Sequence, residues 1–178
     1  MKFNDIKQFT SIGHYEITVS VADVKASIER YVKDYGLQLN PDFQRGHVWN
    51  EQQQRAYVEY LLKGGTSSRL LFFNSANWMR RKPVHNAPFV CVDGLQRITA
   101  ICKFLSNELQ VFGHYYNKFE DIIDMLNGLR FNINNLQTQR EVLQWYLEMN
   151  TYGTIHTIEE IEKVKELLRE EEQCHQSN

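Results

Sequence analysis

Phe89-Val90-Cys91-Val92-Asp93-Gly94-Leu95-Gln96-Arg97-Ile98-Thr99 is an apolar run that meets an acid and a glycine and turns at once into a helical pattern. Four apolar residues bounded by turn residues predict a buried strand over Phe89–Val92. The residues after Gly94 predict a helix over about 95–105. A strand that feeds a helix through Asp-Gly places unpaired backbone N–H groups and the positive end of a helix dipole at its tip, which suits a phosphate. Gly94 has no Cβ and lets a ligand approach the backbone. Arg97 falls in the first turn and can grip a phosphate through two parallel hydrogen bonds. Gln96 can orient a water or hold a phosphate oxygen. Asp93 can hold a divalent metal or position a nucleophile. The same spacing also fits a plain turn in which Asp93 caps the helix and Arg97 forms a surface ion pair.

The pattern on either side fits one α+β domain. Tyr15, Ile17 and Val19 alternate with polar residues, as in a half-buried strand. Asp23 can cap a helix with Val24, Ile28, Tyr31 and Val32 on one face, ended by Gly36. Asn50 can cap a second helix that buries Tyr57, Val58, Leu61 and Leu62 and stops at Gly64-Gly65. Leu70–Phe73 reads as a buried strand, and 74–88 as a long loop. Beyond the central helix, 117–127 carries Phe119, Ile122, Ile123 and Leu126 at helical spacing. Leu129, Phe131 and Ile133 alternate as a strand. A helix over about 137–149 buries Val142, Leu143, Tyr146 and Leu147, and Asn150-Thr151-Tyr152-Gly153 breaks it. Thr157 and Glu160 form a capping box for a last helix. Short strands among helices predict a small mixed sheet covered by helices, with a helical C-terminal part.

Bulk properties narrow the function. With 178 residues, the chain is expected to form a single domain over 1–178, its core at about 15–168 and a flexible tail at 170–178. A 42% hydrophobic content supports a core, and a net charge of −2 gives no support to non-specific nucleic-acid binding. Cys91, Cys102 and Cys174 form neither a disulfide framework nor a C-x-x-C zinc pattern, which suits a reducing compartment. Met1-Lys2-Phe3-Asn4-Asp5 carries no apolar signal core and no stretch reaches about 20 apolar residues, so the expectation is a cytoplasmic protein without membrane contact.

Two further segments reinforce the central one. Asn40-Pro41-Asp42-Phe43-Gln44-Arg45-Gly46-His47-Val48-Trp49-Asn50 repeats the Gln-Arg pair ahead of a helix. Phe43 and Trp49 would anchor this loop and direct Gln44 and Arg45 at a common cleft. Met149-Asn150-Thr151-Tyr152-Gly153 precedes the last helix. Taken in order, Pro41-Asp42-Phe43-Gln44-Arg45 with Trp49, Val92-Asp93-Gly94-Leu95-Gln96-Arg97 and the Asn150 segment resemble the N-terminal domain of GmrSD-type modification-dependent restriction enzymes. The likeness runs over about residues 15–168.

That resemblance implies a fold similar to the ParB and sulfiredoxin superfamily. It also implies a nucleoside triphosphate held at the Asp-Gly-x-Gln-Arg turn by Gly94, Arg97, Gln44, Arg45 and Asn150, with Asp93, Gln96 and Arg97 in catalysis. Asp93 would hold a divalent metal, Mg2+ being the expected ion. Hydrolysis would be coupled to a DNA-related system, whether defence, counter-defence or DNA maintenance, with DNA and a separate nuclease or other protein as candidate partners. Two departures count against turnover. Leu95 stands where the family more often has glutamine, and the chain stops where the larger enzymes continue into an HNH-type nuclease. The alternatives are a non-catalytic DNA- or protein-binding module of the same fold, and a metal-dependent DNase using the same cleft. Arg80, Arg81 and Lys82, with His85, are either a contact for nucleic-acid or nucleotide phosphates or a solvated loop.

Overall fold

The computed structural model describes residues 1–2, 5–6, 15–44, 46–76, 78, 89–121, 128–151 and 162–170. Four strands, β1 (Tyr15–Val19), β2 (Leu70–Asn74), β3 (Val90–Asp93) and β4 (Leu129–Asn134), form a mixed sheet in the order β1-β4-β2-β3. β4 runs antiparallel to β1 and parallel to β2, and β3 returns antiparallel to β2. Helices α1 (Val24–Tyr35), α2 (Glu51–Leu62), α3 (Leu95–Leu105), α4 (Gln139–Thr151) and α5 (162–170) complete the described elements. The α+β class and the small mixed sheet expected from the sequence are therefore present, with helices at the C-terminal end.

Strand periodicity explains the layers. Leu71 and Phe73 of β2, Cys91 of β3 and Leu129, Phe131 and Ile133 of β4 share one core with the buried faces of α1, α2 and α3. Phe72, Val90 and Val92 point to the other face, where they meet Val142, Leu143, Trp145 and Tyr146 of α4 and Val164 of α5. β3 is covered on both faces and therefore reads as an uninterrupted apolar run. The free edge of β3 is not left bare. Gln38 takes a hydrogen bond from Cys91 and gives one to Phe89 along it.

Helix limits follow local chemistry. Asn50 and Gln53 form a reciprocal capping box on α2. Gly36 ends α1 in the left-handed region. Several details differ from the sequence expectation. Val32 is 45% exposed and not part of the buried face, because the apolar stripe of α1 is filled by Val24, Ile28 and Tyr31. The Asp23 side chain accepts no capping hydrogen bond; a short 3-10 turn over Val21–Asp23 leads into α1. Leu62 and Leu147 are half-buried, and Trp145 takes a core place that the pattern did not assign. α4 starts two residues late, behind a Thr138–Glu141 box, and continues through Asn150 and Thr151. β3 includes Asp93, while Phe89 is buried just ahead of it. Of the helix expected over 117–127, the described part is a 3-10 turn at Tyr116–Lys118. Residues 122–127, the Thr157–Glu160 box and the tail beyond 170 lie outside the described residues.

Candidate functional site

The tip of β3 and the start of α3 border a cavity of about 360 Å³. Its wall contains Gln44, Asp93, Gly94, Gln96, Arg97 and Asn150, six residues that the sequence singles out from three separate segments. Leu95 is also on the wall and half-buried, so it faces the cleft and is not part of the core. Arg45 lies outside the described residues, although Gln44 and Gly46 on either side of it both line the cavity. Arg80, Arg81, Lys82 and His85 lie outside them too.

Gly94 sits at the N-cap position of α3 with φ +141°, and no side chain caps the helix. A Cβ built here would lie 2.8 Å from Leu71 Cδ2 and 3.3 Å from Leu71 Cβ. The residue is thus required by its backbone angle and by the buried Leu71 underneath it, whether or not a ligand approaches. Asp93 belongs to the strand and does not cap the helix.

The two glutamines fasten the site together. Gln96 Oε1 accepts the backbone N–H groups of Val48 (2.9 Å) and Trp49 (3.1 Å), and its Nε2 donates to the Gly46 carbonyl (2.7 Å). In the opposite direction, Gln44 Nε2 donates to the carbonyls of Cys91 and Val92. The loop before α2 and the turn after β3 therefore clasp each other. Phe43, buried against Tyr146, and Trp49, packed on Tyr57, anchor that loop as the sequence suggests.

Arg97 is 13% exposed, and its guanidinium reaches three groups. Nη1 donates to the Leu70 carbonyl (2.7 Å) and the Ser68 carbonyl (3.3 Å), and Nη2 pairs with Asp93 Oδ2 at 2.5 Å. Asp93 itself is 48% exposed and supplies the only carboxylate among the described lining residues. Ser68 has φ +61°, and its carbonyl also accepts the Tyr57 hydroxyl. Burial pushes that hydroxyl up to about 12, against the pull of Arg97 and Arg69. Burial likewise raises the Cys91 thiol, with Asp93 adding to it, while Arg97 and the Leu95 backbone pull the other way. Among the described residues no group of three or more His, Cys, Asp or Glu side chains comes together as a metal cluster. None of their helices is long and apolar enough to cross a membrane.

Sequence reading missed Ser68, Val92 and Tyr146 on the wall, and took Trp49 only as an anchor. Tyr146 was within reach, because it stands four residues before Asn150 and shares its helix face. Ser68 had no signal, since nothing marks a serine that adopts a positive φ.

The whole arrangement lies inside one matched family. Residues 28–177 match the model of the GmrSD restriction endonuclease, N-terminal domain. No curated protein and no solved structure matches the chain. With the Asp-Gly-x-Gln-Arg turn, the Gln44 loop and Asn150 gathered at one cavity and most of the sequence matched, the chain belongs to the GmrSD restriction endonuclease N-terminal domain family, a domain of DNA-restriction enzymes.

Proposed function

We propose that the cavity binds a nucleoside triphosphate and hydrolyses it, in service of a DNA-restriction or defence system within the cytoplasm. The observation that carries this reading is the conjunction at the tip of β3. An uncapped helix start at Gly94, the guanidinium of Arg97 and the carboxylate of Asp93 all border one cavity. The helix start and Arg97 supply positive potential to a polyphosphate, and the cavity volume is in the range of small-molecule sites, about 300–1,000 Å³.

Asp93 fits a divalent cation such as Mg2+, which commonly takes one or two carboxylates and completes its shell with phosphate oxygens and water. Bound there, the ion would offset phosphate charge. Releasing Asp93 from Arg97 would leave the guanidinium with its two carbonyl contacts and open Nη2 to a phosphate oxygen. Arg97 thus acts as a preset clamp. A water for hydrolysis needs a group to orient it. Gln96 is held by three backbone partners, so its part is to keep the cleft in shape.

A second reading has an observation of its own. Leu95 gives the wall an apolar residue at the middle of the turn, which favours binding without turnover. The DNase reading has less support, because a two-metal nuclease centre needs more than the single carboxylate on the described wall.

Thermal melting with each nucleoside triphosphate, with and without Mg2+, tests the proposal. A ligand at a hundred times its Kd stabilises by about 2.7 kcal/mol, which is roughly 5–10 °C for a chain of this size. Arg97→Lys keeps the charge and loses the fork, so its ligand-induced shift should be much smaller than that of the wild type. No shift with any triphosphate would defeat the nucleotide reading. A shift without phosphate release would leave the binding-only alternative.

A further inference from the structure

The two walls of the cavity differ in polarity, and the difference assigns an orientation to the nucleotide; this step rests on the nucleotide reading above. The α3 wall carries the Arg97 guanidinium, whose Nη2 is held by Asp93, and a helix start that no side chain caps. The α4 wall supplies Tyr146 and Asn150, one helical turn apart. Asn150 Nδ2 donates to the Tyr146 carbonyl at 2.7 Å. A carbonyl accepts only from the nitrogen end of an amide, so this contact fixes which end of the side chain is which. Asn150 Oδ1 is left as an acceptor on the wall, without a partner among the described residues. An acceptor is unfavourable beside an ionised phosphate, which carries only acceptor oxygens. It suits an O–H or N–H donor, and a nucleotide has these on its sugar and base.

Aromatic residues border the cavity on both sides. Trp49 belongs to the layer on one face of the sheet, and Tyr146 to the layer on the other. Each ring is braced by a second aromatic, Trp49 by Tyr57 at 5.5 Å and Tyr146 by Phe43 at 5.1 Å. Trp49 is half-buried and Tyr146 is buried, so the two braced rings give the cavity a rigid aromatic border, of a kind that suits a base.

We propose that Asn150 determines specificity for the nucleoside: its Oδ1 accepts a sugar hydroxyl or base N–H, the base rests against Trp49 and Tyr146, and the phosphates lie toward Gly94 and Arg97. The sequence placed Asn150 in the nucleotide site without saying which part of the ligand it meets.

Calorimetry on the whole chain separates the two ends of the ligand. The probes are the four nucleoside triphosphates and inorganic tripolyphosphate, each with Mg2+, titrated into the wild type and Asn150→Ala. Asn150 lies near the end of α4 and is only partly buried, so the variant should fold, and its melting curve checks this. One lost hydrogen bond corresponds to about tenfold in Kd. The expected result is a loss of about tenfold for the preferred triphosphate and less than twofold for tripolyphosphate. Equal losses for both probes, or no loss for either, would overturn the assignment. The wild type supplies an independent measurement. Free nucleoside should compete with the triphosphate, and tripolyphosphate should bind more weakly than the triphosphate. Tripolyphosphate binding as tightly as the triphosphate would overturn this orientation while leaving the phosphate site standing. Binding of neither probe would remove the nucleotide reading as well.

Discussion

Adding one methyl group at Gly94 distinguishes the two reasons for a glycine in the turn. Gly94→Ala places a Cβ 2.8 Å from Leu71 Cδ2, far inside the usual carbon–carbon separation of about 3.5–4.0 Å. Leu71 is fully buried, so its side chain has to shift within the core to make room. Overpacking of this kind costs about 1–3 kcal/mol. The backbone angle of +141° adds about 1–3 kcal/mol of strain for any side chain. Together they give roughly 2–6 kcal/mol, a large share of a typical domain stability of about 5–15 kcal/mol. At about 2–4 °C per kcal/mol the melting temperature should fall by roughly 4–24 °C.

Urea unfolding of Gly94→Ala, Leu71→Ala and the double variant apportions the cost. Leu71→Ala alone should cost about 2–5 kcal/mol. The double variant should fall short of the sum by about 1–3 kcal/mol, because the clash with Cδ2 is gone while the backbone strain persists. If Gly94→Ala melts within about 0.5 kcal/mol of the wild type yet loses nucleotide, the packing argument is wrong. Close approach of a ligand would then be the reason for the glycine.

Two further outcomes follow from the site. Gln96→Leu removes three backbone contacts and should release the loop before α2: hydrogen exchange at the Val48 and Trp49 amides should speed up, with a stability loss of about 1–3 kcal/mol. Unchanged exchange at those two amides would refute the clasp. Alkaline pH should destabilise the fold through the buried Cys91 thiol and the half-buried Cys102 thiol. Burial raises Cys91, and raises Cys102 to about 11, so the folded state keeps both protonated while the unfolded chain ionises from about pH 8.5 upward. That stability is fully present below the unfolded value and is lost as pH rises toward 11, by up to about 1.4 kcal/mol per pH unit for each thiol. Melting temperatures across pH 8–11 should fall less steeply for Cys102→Ala than for the wild type; equal slopes would remove Cys102 from the account.

The elements that the sequence revealed best are those whose burial is one-sided or whose ends carry their own chemistry. β4 shows in the alternation of Leu129, Phe131 and Ile133, and α2 shows through the Asn50 cap. α3 coincides with the expected span because a glycine and a change of period coincide at its start. The less legible features depend on partners distant in sequence. Val32 fits the periodicity of α1, yet it is exposed among the described residues, and periodicity cannot report that. The extension of α4 through Asn150 is similar: Asn and Thr are poor helix formers, yet the helix runs on to Thr151, with the Asn150 side chain donating to the Tyr146 carbonyl. Strand order was not legible at all, since β4 inserts between β1 and β2 from more than fifty residues downstream of β2.

The candidate site was legible in location and much less so in the division of labour. Gln44, Gln96 and Arg97 are the residues a motif reading assigns to the ligand, because amide and guanidinium groups suit phosphate. Each of them is instead held by backbone of this chain: Gln44 by the end of β3, Gln96 by the loop at 46–49, and Arg97 by the carbonyls of Ser68 and Leu70. These contacts span about thirty to fifty residues of sequence, and no local pattern records them. Their physical effect is to fix a loop against a strand–helix turn, which is what gives the cavity two stable walls. The groups left to meet a ligand are then the uncapped start of α3, the half-exposed Asp93, the Nη2 of Arg97 that Asp93 now holds, and Asn150 Oδ1. Substitutions in the clasp should therefore act first on the shape and stability of the cleft. Substitutions at Asp93 and Asn150 should act on the ligand, and at opposite ends of it. Arg97 belongs to both classes: its Nη1 contacts hold the chain leading into β2, and its Nη2 faces the acid. Its loss must be judged by the ligand-induced shift and not by the melting temperature alone.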